Sequence, residues 1–132
     1  MSERLSPRAA LVGGLLLWFA VLGGVSAWAV HALAAWSIDE LACEAGHDNL
    51  AGFPLTGAIA LAVLLPAAGA AAALAASVLA WRRVRPNHGD GDERSTGRAH
   101  LLAFVGLWLN TLALAMIALG GVAALVLPPC QR

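Results

Sequence analysis

Three long apolar runs dominate the chain, at residues 9–36, 55–81 and 99–127, and none of them contains Asp, Glu, Lys or Arg. A helix of about 20 residues crosses the hydrocarbon core of a bilayer, so each run is long enough to span. The runs lack period-2 alternation, and an open sheet edge cannot survive in lipid, so strands are excluded as their main form. The pattern predicts an all-α, membrane-embedded bundle of three transmembrane helices, one membrane domain over residues 1–132. An outer loop, 37–54, joins the first two helices, and an inner linker, 82–98, joins the last two. Pro66 stands in the middle of the second run, and Pro128-Pro129 close the third.

The start of the chain also resembles a secretory signal. Arg4 and Arg8 precede the apolar run, and Ala27-Trp28-Ala29 offers a small-x-small cleavage pattern. The run continues to Trp36, however, well beyond the 7–15 residues usual for a signal core. An uncleaved first helix is the expectation. Arg4, Arg8, Arg82, Arg83, Arg85, Arg94 and Arg98 all fall on one side of this arrangement, with only Arg132 on the other. The positive-inside rule then puts the N-terminus in the cytoplasm and the C-terminus outside, in a bacterial inner membrane.

Composition agrees with that class: 60% of residues are hydrophobic and 12% charged, where an average chain carries about a quarter charged. The formal net charge is zero, so no basic surplus points to nucleic acid. No CxxC, HExxH, GxGxxG or phosphate-loop pattern occurs. The inner linker, RRVRPNHGDGDERSTGR, is rich in Gly, Pro and charge and reads as solvated and mobile. Its DGDE stretch lacks the oxygen-ligand spacing of a calcium loop. The outer loop carries Asp39, Glu40, Glu44 and Asp48 without a basic residue, and its SIDELACEA segment either extends helix 1 or forms a short interfacial helix.

Candidate chemistry is sparse. Cys43 and Cys130 both fall on the exported face, where oxidising conditions favour a disulfide. Such a bridge closes a roughly 90-residue loop, worth about 4–5 kcal/mol in the loop-entropy model. A competing reading takes Cys43 and His47, at i and i+4, with Cys130 and His31 as ligands for copper or zinc. His31 itself reads as an interfacial histidine among Trp28 and Trp36. Haem ligation is not indicated, because no two histidines share a membrane depth. Asn110 is the most polar group inside a span and reads as glue between helices. Small residues mark close helix packing: Ala20 with Gly24, Gly23 with Ala27, Gly69 with Ala73, and Gly106 with Asn110. No cofactor is expected.

Taken together, Trp28-Ala-Val-His31, Cys43, Trp81-Arg82-Arg83 and the closing Pro128-Pro129-Cys130-Gln131-Arg132 resemble a family of small, uncharacterised bacterial membrane proteins. Genes of that family tend to lie in clusters for haem-copper terminal oxidases of the cytochrome c oxidase type. The resemblance spans nearly the whole chain, through short motifs; the Gly/Asp-rich linker and Ser37-Ile-Asp-Glu40 depart from it. It implies an accessory or assembly role beside the oxidase and supplies no catalytic residues. The expectation is therefore a non-enzymatic protein whose partners are membrane lipid and a larger respiratory complex. A periplasm-facing copper or thiol-redox protein using Cys43, Cys130 and His47 is the alternative. A freestanding channel or transporter component comes third.

Overall fold

The structure is a computed structural model that describes residues 7–45, 49–50, 52–83 and 93–127. Three helices account for nearly all of it: α1 (Pro7–Ala45), α2 (Leu55–Arg83) and α3 (Glu93–Val126). All three are long and apolar enough to cross a membrane, with mean hydropathies of 1.9, 2.2 and 2.1 over their most apolar windows. Helices are the form such sequences take in lipid, because each satisfies its backbone hydrogen bonds internally.

Two boundaries differ from the hydropathy reading. α1 does not stop at Trp36 but runs on through SIDELACEA to Ala45. There Asp39 is exposed, while Ile38 is half-buried and Ala42 buried. An amphipathic segment with no Pro or Gly continues an existing helix more easily than it nucleates a new one. α3 likewise begins at Glu93 rather than near Ala99, taking the C-terminal third of the supposed linker, Gly97 included, into the helix. An acidic residue at the first helical position complements the helix dipole. The linker's mobility and its DGDE stretch fall largely on residues 84–92, outside the described residues.

The connection between α1 and α2 contains a minimal antiparallel ladder, β1 (Asn49–Leu50) with β2 (Phe53–Pro54), in which Leu50 faces Phe53. Gly52 sits in the turn at φ +87°, a left-handed conformation that favours glycine. Phe53 folds back over the first turn of α2, where a Cβ on Gly57 would come within 2.8 Å of its ring.

Close approaches fix the topology. On α1 and α2, Ala20 meets Ser77, Gly23 meets Ala73, Gly69 meets Ala27, and His31 meets Ala62, so these helices run antiparallel. Gly24 meets Asn110 and His31 meets Gly120, so α1 and α3 run parallel. The start of α1, the end of α2 and the start of α3 therefore share one end of the bundle. That end carries Arg8, Arg82, Arg83 and Arg98; Asp39, Glu40 and Glu44 lie at the other.

The core is built from the smallest side chains. Its buried apolar residues are Ala20, Ala42, Ala70, Ala73, Ala103, Ala113 and Ile117, while leucines, valines and tryptophans such as Leu65, Trp18 and Leu119 face outward. Soluble proteins bury their large apolar residues. In lipid that driving force between helices is absent, and close backbone approach takes its place. On α2 the buried stripe is Pro66, Ala70, Ala73 and Ser77, a 4-3-4 spacing that keeps one face toward its neighbours.

Candidate functional site

The polar groups inside the bundle gather at two levels. The first is a three-helix knot around Asn110, which is fully buried with Ser77. Asn110 Oδ1 accepts from the Gly24 amide at 2.8 Å, and Asn110 Nδ2 donates to the Ala20 carbonyl at 2.6 Å. Ala20 and Gly24 are an i, i+4 pair, the two ends of one rung of the α1 hydrogen-bond ladder. The side-chain amide thus grips both ends of a single rung. Asn110 Nδ2 also donates to Ser77 Oγ at 2.9 Å, and the Ser77 hydroxyl is shared between the carbonyls of Ala20 (2.6 Å) and Ala73 (3.0 Å).

Glycine makes this closeness possible. A Cβ on Gly24 would overlap Asn110 Oδ1 and lie 2.9 Å from Asn110 Cα, and a Cβ on Gly106 would lie 2.7 Å from the Ala20 carbonyl oxygen. Ala73 is fully buried in the same layer. Gly69, by contrast, is loosely placed: its hypothetical Cβ would sit 3.7 Å from Ala27, an ordinary contact.

The second level is His31. It is buried, at 6% exposure, and is not an interfacial side chain snorkelling among tryptophans. Its Nδ1 lies 2.8 Å from the Ala62 carbonyl oxygen. A carbonyl only accepts, so Nδ1 carries the hydrogen and donates. The reason this carbonyl needs a donor is four residues further on, where Pro66 has no N–H to close the helical bond. His31 of α1 supplies the hydrogen that Pro66 of α2 cannot. Its other nitrogen, Nε2, packs against Gly120 of α3, where a Cβ would come within 2.6 Å. The two levels stand about 14 Å apart along α1.

A third polar contact lies toward the arginine-bearing end. Trp81 Nε1 donates to His100 Nε2 at 3.3 Å, with ring centroids 6.1 Å apart. That bond leaves the hydrogen of a neutral His100 ring on Nδ1, which is buried without a partner among the described residues. Ser37 and Thr111 bond back to carbonyls of their own helices, at Leu33 (2.8 Å) and Leu107 (2.7 Å). Their hydroxyls are thereby satisfied on exposed faces.

Of the metal candidates, His31 and Cys43 are not brought together. Both belong to one continuous helix and stand about 18 Å apart along its axis, and His31 is already committed to Ala62. His47 and Cys130 lie outside the described residues. Cys43 is exposed near the end of α1, with Sγ 3.9 Å from Asp39 Oδ1, and is not a free thiol. Among the described residues no group of three His, Cys, Asp or Glu is placed to hold a metal ion.

One feature of the outward-facing surface of the bundle stands apart. On α2 the exposed residues Ala68, Ala71, Ala72 and Ala75 form a low patch about 10 Å long, bounded by the exposed leucines 64, 65 and 79. No protein-family model, curated protein or solved structure matches the chain.

Proposed function

We propose that this protein is a non-enzymatic membrane subunit that docks by helix–helix contact onto a larger complex. It lies in the bacterial inner membrane with its N-terminus inside. The observation that carries the reading is the alanine patch on the outer face of α2. Lipid chains pack poorly against a shallow notch between leucines, whereas a second helix approaches closely across small residues. The polar groups of the bundle support the same reading. Asn110, Ser77 and His31 serve bonds between the protein's own helices, and catalysis requires acids, bases or nucleophiles held ready for a substrate.

The partner class comes from the resemblance: a haem-copper terminal oxidase, which this protein assists or helps to assemble. A disulfide between Cys43 and Cys130 belongs to the proposal. Its support is that Cys43 is not a free thiol and the sequence contains 2 cysteines.

The test is purification in mild detergent with absorption spectra and subunit identification, using the wild type and Ala72→Phe, which fills the notch. The wild type brings down haem-bearing oxidase subunits, and Ala72→Phe loses them while its own thermal stability is unchanged. A wild type that purifies alone, with normal oxidase levels in a deletion strain, refutes the assignment.

A further inference from the structure

The antiparallel packing gathers arginines that are far apart in sequence. The Trp81–His100 contact sets the last turn of α2 beside the second turn of α3. Arg82 and Arg83 directly follow Trp81, and Arg98 stands two residues before His100; all three are exposed. Arg8, also exposed, lies at the same end of the bundle. Among the described residues none of the four has an ion-pair partner. The acids nearest in sequence are Glu3, Asp90, Asp92 and Glu93, of which the first three lie outside the described residues. Beside the arginines is an indole of the kind that settles at the headgroup level of a bilayer.

We infer that the end of the bundle carrying Arg82, Arg83 and Arg98, beside the Trp81–His100 pair, binds the headgroup phosphates of anionic diacyl phospholipids. Exposed basic side chains at the ends of membrane helices attract anionic headgroups by their charge. The flanking surface supplies the acyl half of the site, because Leu79, Leu101 and Leu102 are exposed on the same two helices just inside the arginine level. Lipid that binds this end of the folded bundle, and not the unfolded chain, stabilises the bundle by mass action. The inference rests on the protein being embedded in a membrane, which is checked independently by its resistance to extraction with alkaline carbonate.

The experiment is a thermal-unfolding titration of the full chain in mild neutral detergent. The additives are short-chain phosphatidylglycerol, matched phosphatidylcholine and inorganic phosphate. Phosphatidylglycerol is expected to raise the midpoint saturably, and the other two to leave it in place. Arg82→Gln/Arg83→Gln and Arg98→Gln should weaken the apparent affinity by about fivefold for each arginine removed, and the corresponding lysine variants should retain most of it. Equal shifts with phosphatidylcholine, a full shift with phosphate alone, or an unchanged phosphatidylglycerol response in the glutamine variants overturns the site. If the glutamine variants do not fold, the lysine variants and the three additives on the wild type still decide it.

Discussion

Replacing Gly24 by alanine puts a methyl group where α1 and α3 touch. The new Cβ would overlap Asn110 Oδ1 and lie 2.9 Å from Asn110 Cα and 3.0 Å from Cγ. Carbon atoms prefer about 3.5–4.0 Å, so the helices must part by a sizeable fraction of an ångström. Asn110 Cα is backbone and cannot rotate away. Overpacking of this kind costs about 1–3 kcal/mol. The two bonds from the Asn110 amide to Gly24 and Ala20, worth about 0.6–1.7 kcal/mol each, are stretched or lost as well. Alanine's better helix propensity returns about 1 kcal/mol. The net expectation is a loss of about 2–4 kcal/mol, measured by unfolding in mixed micelles of increasing SDS fraction. Gly13→Ala is the control, since nothing lies within 4 Å of a Cβ there; it should be neutral or slightly stabilising. The double variant Gly24→Ala/Asn110→Ala should recover only part of the loss, because the Cα clash persists. A Gly24→Ala protein as stable as Gly13→Ala would refute the account of this contact.

His31→Ala should destabilise wild type by about 1–3 kcal/mol, the range for an orphaned buried acceptor. It should matter less in a Pro66→Ala background, where residue 66 regains an N–H for the Ala62 carbonyl; a double-mutant cycle with no coupling sinks this pairing. Gly69→Ala should be tolerated within about 0.5 kcal/mol while Gly106→Ala is not, since the first meets only an ordinary contact and the second a carbonyl oxygen; comparable losses in the two would contradict the packing described. Peptide mapping of the unreduced protein should yield one species linking Cys43 to Cys130, and recovery of two alkylatable thiols from fresh membranes excludes that bridge.

The number and rough extent of the helices were readable from hydropathy, because a charge-free run of nearly thirty residues has few alternatives. Helix ends were not. The polar turns before Ala99 and after Trp36 carry no apolar signal, yet they propagate from helices already formed. Asn110 was recognisable as an interhelical contact from its isolation among apolar residues. Its hold on a rung of α1 was not, since that depends on which face of a uniformly apolar helix turns inward. Such helices have no amphipathic stripe to orient them, and here the inward face is selected by side-chain size. His31 was misread for a related reason. Its depth was judged from its own helix, while the demand for it arises on another. Pro66 was the available clue: a proline inside a lipid-embedded helix leaves a carbonyl four residues earlier that must find a donor.

The smallness of the interior reverses the usual logic of mutational scanning. Alanine scanning finds a core by removing volume, but Ala20, Ala70, Ala73, Ala103 and Ala113 are already alanine. Of the buried apolar residues described, only Ile117 and Pro66 have bulk to lose. Such a scan would find the polar contacts of His31, Ser77 and Asn110 and the tightly packed glycines, and would pass over the apolar interior between them. A leucine scan would draw the bundle in relief, because each interior position has a volume ceiling and each lipid-facing position does not. Drift in this sequence is therefore open on the outside and one-sided on the inside: side chains there can hardly shrink further, and they have no room to grow.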